Sequence, residues 1–154
     1  MKCASVLPNL FVGPDPRIDE DFEYLKGLKI TAVLSLQTDE DRREGGIAYE
    51  RTTARQAGLK FSNVPVTDFS PADLQLRLKD CVTALEGMLD DGETVFVHCT
   101  AGVSRSPTVV AAYLHWCLGW ELDQAVAYLQ ARSKCSPDAD AIREAGRRAK
   151  DKGH

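Results

Sequence analysis

The chain has 154 residues, 44% hydrophobic and 27% charged, a profile that fits one globular domain able to build its core without a disulfide or metal staple. A net charge of −4 argues against nucleic acid or an anionic membrane surface as a partner. Five cysteines (Cys3, Cys81, Cys99, Cys117 and Cys135) form no CxxC pair, so no zinc site is expected and the thiols read as free in a reducing compartment, by default the cytoplasm.

Met1 to Pro8 holds an apolar run too short for a signal peptide, and no later segment approaches a membrane span in length. Leu10-Phe11-Val12 reads as a short strand closed by the turn Gly13-Pro14-Asp15-Pro16. A helix follows from Asp19 to Lys26, its acidic start suited to the helix dipole, and Gly27-Leu28 reads as its left-handed cap. Ile30 to Leu36 is a buried strand. A polar loop from Gln37 to Gly46 leads to a helix near Ile47 to Ala57, closed by Gly58-Leu59, and to a strand from Lys60 to Val66.

Ser70-Pro71 has the cap and first-turn residues of a helix, and Leu74, Leu78, Cys81, Leu85 and Met88 recur at helical spacing along one face. Thr94 to Val97 is a β-branched strand. After His98 to Pro107 comes a helix to about Leu118 that is apolar nearly all round and therefore expected at the centre. Leu122, Ala125, Val126 and Leu129 mark another helix, and Ser136-Pro137 opens a last one with a basic end. This alternation predicts a single α/β domain over residues 1–154, a sandwich with a largely parallel sheet.

The chemistry lies between the short strand at Thr94 to Val97 and the central helix. Cys99 and Arg105 are separated by five residues, a spacing that can wrap one tetrahedral anion. The loop amides of Thr100, Ala101, Gly102, Val103 and Ser104 and the helix N-terminus are expected to meet the anion, and Arg105 supplies a planar fork of donors. Gly102 permits the tight turn and Pro107 suits the first helical turn. The same surroundings favour thiolate over thiol, so Cys99 is expected to be a nucleophile. His98 is read as a loop organiser that helps tune Cys99, and a hydroxyl at Ser106 is placed to stabilise a departing thiolate.

The segment His98-Cys99-Thr100-Ala101-Gly102-Val103-Ser104-Arg105-Ser106-Pro107 resembles the signature of the dual-specificity phosphatases, within the protein tyrosine phosphatase superfamily. The resemblance extends to Leu10-Phe11-Val12-Gly13, to the strand ending at Leu36 and to Asp68. It implies a mixed five-stranded sheet flanked by helices, no metal and no cofactor. It also implies Cys99 as nucleophile, Arg105 as phosphate ligand and Ser106 as the residue assisting breakdown of a cysteinyl-phosphate.

An alcohol leaving group needs a proton. Asp68, after a strand and before a helix, is the leading donor from its placement and from the resemblance. Asp73, five residues on, reads as a first-turn residue supporting the helix dipole. Phe69 is a candidate substrate contact, and Trp116 and Trp120 read as core. His115 and His154 have no partner at catalytic spacing.

The expected substrate is a phosphoprotein, carrying phosphotyrosine and phosphoserine or phosphothreonine, acted on by a monomer. The alternative is a phosphorylated glucan. Asp68-Phe69 with Asp73-Leu74-Gln75-Leu76-Arg77-Leu78, and Cys135-Ser136-Pro137 with Asp140-Ala141-Ile142-Arg143, resemble the glucan phosphatases, whereas Ser104 stands where those enzymes usually carry glycine. An inactive phosphate-binding module would normally lack the cysteine, the arginine or the acid, and all three positions are filled. A sulfurtransferase loop fits the Arg105-Ser106 ending less well.

Overall fold

Val95-Phe96-Val97-His98 is buried at every position, so both of its faces must be covered, which a central parallel strand achieves. The computed structural model describes residues 1–42 and 45–152, with side chains described as far as residue 147. His154 and part of the expected Gln37–Gly46 loop lie outside the described residues. The elements are β1 (Ala4–Leu7), β2 (Leu10–Gly13), α1 (Asp19–Gly27), β3 (Ala32–Ser35), α2 (Gly46–Gln56), β4 (Lys60–Asn63), α3 (Pro71–Asp90), β5 (Val95–His98), α4 (Arg105–Trp116), α5 (Leu122–Gln130) and α6 (Ala139–Lys152).

The sheet order is β1-β2-β5-β3-β4. Only the β1–β2 pair is antiparallel. Alternation along the strands divides the core in two. Val33 and Phe96 pack with Phe22 and Leu25 of α1 and Ala54 of α2. Ala32, Leu34, Val95 and Val97 face the other way, into the cluster built by α3 to α6. α4 is buried from Arg105 to Leu114, as its all-round apolar character requires.

Register brings the site together. Gly13 and Ser35 both pair with His98, and Asn63 pairs with Ser35, so the C-terminal ends of four strands share one edge. In an open parallel sheet that edge is where ligands bind.

Four local expectations shift. β1 has no strand signal in the sequence: Ala4–Leu7 is a half-exposed edge strand whose pairing with β2 supplies what its sequence pattern does not show. The expected Ile30–Leu36 and Lys60–Val66 strands narrow to Ala32–Ser35 and Lys60–Asn63, although Val64 and Val66 still donate to Ser35 and Leu36. Gly27 is the last helical residue of α1, and the left-handed position falls two residues later on Lys29, with φ +66°. Gly58, with φ +84°, does take the left-handed position after α2. Asp39–Asp41 forms a single helical turn within the polar loop.

Candidate active site

Cys99 follows β5 directly and Arg105 opens α4. Between them the chain turns at Gly102, with φ +75°. A Cβ there would stand 2.7 Å from the carbonyl carbon of Gly13 and 2.8 Å from the nitrogen of Pro14, so the loop is pressed against the end of β2 and only glycine fits. The loop is also anchored by the segment between α5 and α6. The Ser136 N–H donates to the Val103 carbonyl at 2.7 Å, and the Asp138 N–H to the Thr108 hydroxyl at 2.8 Å. The Ser136-Pro137 segment thus braces the loop.

Cys99 is 3% exposed. Its Sγ lies 3.2 Å from the Ser106 hydroxyl and 3.5 Å from the Ser106 N–H. A hydroxyl and a backbone N–H therefore face the sulfur from the first turn of α4. The His98 ring sits behind the loop, its Nδ1 3.0 Å from the Cys99 carbonyl oxygen.

The four terminal N–H bonds of Arg105 are all directed at oxygen. Nη1 donates to Asp41 Oδ2 and to the Val66 carbonyl, both at 2.8 Å, and Nη2 donates to Asp41 Oδ1 at 3.3 Å and to the Thr100 hydroxyl at 3.1 Å. Asp68 Oδ2 approaches Nη2 at 3.3 Å. Burial opposes the Arg105 charge, but Asp41, the sulfur of Cys99 and Asp68 outweigh it and raise its pKa further. The Thr100 side chain is thus spent on holding Arg105 and on accepting from Gln37 Nε2 at 3.0 Å. Its carbonyl accepts the Asp15 N–H.

A cavity of about 310 Å³ opens above the sulfur, lined by Cys99, Arg105, Asp68, Phe69, Val103 and Asp138 among others. The structure therefore brings Asp68 together with Cys99 and Arg105. Asp73 serves a different end: its Oδ2 accepts the Thr67 N–H at 2.7 Å, and its own N–H donates to Ser70 Oγ. Asp73 thus ties down the loop that carries Asp68. Phe69 is 96% exposed with φ +58°, a left-handed conformation that costs a bulky residue about 1–2 kcal/mol. His115 bonds the Trp120 carbonyl, and both tryptophans pack on the core.

A family model for the dual specificity phosphatase catalytic domain matches residues 10–144. The chain belongs to the dual-specificity phosphatase family. Among curated members, it is 31% identical over 144 residues to a chloroplastic phosphoglucan phosphatase, LSF1, of Arabidopsis thaliana, covering 92% of this chain and 24% of that protein. It is 31% identical over 136 residues to human dual specificity protein phosphatase 5, covering 88% of this chain and 32% of that protein. This phosphatase domain thus spans a quarter to a third of the length of those two relatives. Its fold matches crystalline PTPMT1 in complex with PI(5)P at a TM-score of 0.79 and 18% identity, over 99% of both chains.

Several members of the phosphatase site escaped the sequence reading. Asp41 and Arg42 sit in an acidic and basic run that reads as a solvated loop. Asp15 and Gln37 lie in the loops after β2 and β3. Only Glu50 carried a signal, falling with Ile47 and Ala54 on the apolar face of α2.

Proposed function

We propose that this chain hydrolyses phosphate monoesters in two steps through Cys99. The observation that carries the reading is a buried sulfur at the floor of a cavity, in contact with the Ser106 hydroxyl and flanked by an oriented Arg105. In the first step Cys99 Sγ attacks phosphorus in line, forming the S–P bond as the P–O bond to the leaving group breaks. Asp68 delivers its proton to the departing oxygen. In the second step water loses a proton to Asp68 and attacks phosphorus, the S–P bond breaks, and the Ser106 hydroxyl donates to the returning thiolate. Arg105 grips the equatorial oxygens through Nε and Nη2, the Nη2 hydrogen bonded to Thr100 Oγ1 turning to the substrate as Asp68 moves off. Backbone donors of the loop residues Thr100 to Ser104 complete the cradle. Phosphatase assay of Cys99→Ser tests the reading. Turnover of p-nitrophenyl phosphate is expected to vanish while the fold is kept, and retained turnover would refute the mechanism.

The substrate proposed is a phosphoprotein, supported by the similarity to human dual specificity protein phosphatase 5 and by Ser104 in the loop. Phosphorylated glucan is the second reading, favoured by the cavity itself. Among its described lining residues Arg105 is the one cation, with Asp68 and Asp138 beside it and the exposed Phe69 at the rim. Such a rim suits a neutral hydroxylated ligand that can lie against an aromatic face. Comparison of kcat/KM on phosphopeptides and on phosphorylated glucan separates the two. Action in the cytoplasm belongs to the same proposal, supported by five free thiols.

A further inference from the structure

Thr100 Oγ1 has two lone pairs, and both are occupied. Gln37 Nε2 donates to it at 3.0 Å and Arg105 Nη2 at 3.1 Å. Gln37 is itself fully buried and held from three sides. Its second amide hydrogen goes to Asp15 Oδ2 at 3.1 Å, its Oε1 accepts from Arg42 Nη1 at 3.0 Å, and its backbone carbonyl accepts from Asn63 Nδ2 at 2.9 Å. The loops after β2 and β3 and the end of β4 thus fix the Thr100 oxygen beside Arg105.

A guanidinium grips an anion at two points through a pair of parallel N–H bonds. On Arg105 the pair formed by Nη1 and Nη2 is taken by Asp41, and Nη1 spends its other hydrogen on the Val66 carbonyl. The edge left for phosphate is Nε with Nη2. Among the described residues Nε–H has no acceptor, whereas the Nη2 hydrogen of that edge is the one Thr100 accepts. Phosphate and the Thr100 hydroxyl therefore compete for one hydrogen. Asp68 Oδ2, 3.3 Å from Nη2, is the charged group beside it.

We propose that Thr100 is a positioning residue that aims Arg105 in the empty site and reclaims it as phosphate leaves. The Thr100–Arg105 hydrogen bond exists only without phosphate, so it weakens phosphate binding by its own strength. The Gln37 bond to Thr100 persists in both states and drops out of that difference. The loop is thereby preorganised for substrate yet lets product go, and product release is the slow step of many enzymes. The inference rests on Arg105 being the phosphate ligand.

The test is the affinity for inorganic phosphate, read by NMR titration of the intact nitrogen-labelled chain, with no turnover required. Thr100→Val keeps the shape and removes the acceptor. Its dissociation constant for phosphate is expected to fall about three- to tenfold, the worth of one net hydrogen bond, with Asp68 making up part of the loss. Inhibition of p-nitrophenyl phosphate turnover by phosphate should tighten by the same factor. Thr100→Ser restores the hydroxyl and should stay within about twofold of the parent. A loop merely loosened by the substitution would bind phosphate more weakly, so the direction separates the two roles. An unchanged or raised constant in Thr100→Val, or equal tightening in Thr100→Ser, would overturn the proposal. Should Thr100→Val fail to fold, Thr100→Ala carries the same expectation. Undiminished phosphate affinity in Arg105→Lys would instead bring down the reading of Arg105 as phosphate ligand, and that failure is read from a different variant.

Discussion

Arg105 is clamped by Asp41 through two parallel contacts, Nη1 to Oδ2 at 2.8 Å and Nη2 to Oδ1 at 3.3 Å. The side chains are 4% and 11% exposed. Asp41 is itself held by the Thr38 N–H at 2.8 Å, so the loop after β3 sets the plane of the guanidinium before any substrate arrives. Asp41→Asn keeps the shape and removes the charge. Loss of a charge-assisted hydrogen bond of about 1.5–3 kcal/mol predicts a fall in kcat/KM of roughly 10- to 150-fold. Arg105→Lys should be more damaging still, because a lysine keeps the charge but loses the planar two-point grip on Asp41 and on phosphate. Steady-state kinetics in which Asp41→Asn stays within about twofold of the parent would show the clamp to be incidental.

The same pair predicts an acid limit to stability. Burial raises the pKa of Asp41, but hydrogen bonds from Arg105 and Thr38 overcome it and hold the carboxyl below the ordinary range. A carboxyl with a depressed folded pKa contributes stability that is complete above its unfolded value near ~3.9 and is lost as pH falls through the folded one. Thermal melts from neutral to acid pH should therefore show a loss below about pH 4 that Asp41→Asn lacks in part. Parallel curves for the two proteins would contradict this.

Asp68 and Asp73 should separate kinetically. An alkyl phosphate depends on a proton donor far more than an aryl phosphate with an acidic phenol, so Asp68→Asn should slow alkyl esters preferentially and remove one limb of the pH–rate profile. Asp73→Asn should keep both limbs and cost less, since Asp73 contacts the Thr67 backbone and lies outside the cavity lining. Equal sensitivity of all esters to loss of Asp68 would move the acid elsewhere.

Gly102→Ala should abolish activity with little change in the far-ultraviolet circular dichroism spectrum. The added methyl meets backbone, which cannot swing aside as a side chain can, and φ +75° is strained for alanine. The loop must therefore lift from β2 and carry Cys99 and Arg105 out of register. An active alanine variant would mean that the loop does not need this close approach.

Thiol chemistry should be selective. Burial, the first cause in each case, pushes Cys81 up to about 12 and Cys117 up to about 11, which leaves both as unreactive thiols at neutral pH. One equivalent of peroxide or iodoacetamide should modify Cys99 first, as read by peptide mass spectrometry. Modification of Cys81 ahead of Cys99 in the folded protein would contradict the packing of α3.

The helices and central strands were legible because their signals are local. Ser70 accepts the Asp73 N–H at the cap it was read to occupy, with Pro71 in the first turn. Leu74, Leu78, Cys81 and Leu85 all face the core at the spacing that marked them. The all-round apolar run after Ser106 marked the central helix, α4. Where a signal had two carriers, the reading slipped: the left-handed turn after α1 lies at Lys29 and not at Gly27.

The order of the helices and of β2 to β5 is legible in the chain alone, and so is the unit from Cys99 to Ser106, because the nucleophile, the arginine and the hydroxyl lie within eight consecutive residues. Tertiary structure alone decided what surrounds that unit. Asp41 and Glu50 reach Arg105 and His98 across 64 and 48 residues of chain. Their contacts arise because parallel register brings the ends of β2, β3 and β5 to one edge. A carboxylate in a charged loop has the same sequence signature in solvent as it has against a buried guanidinium. Only the fold removes the water that separates these two cases.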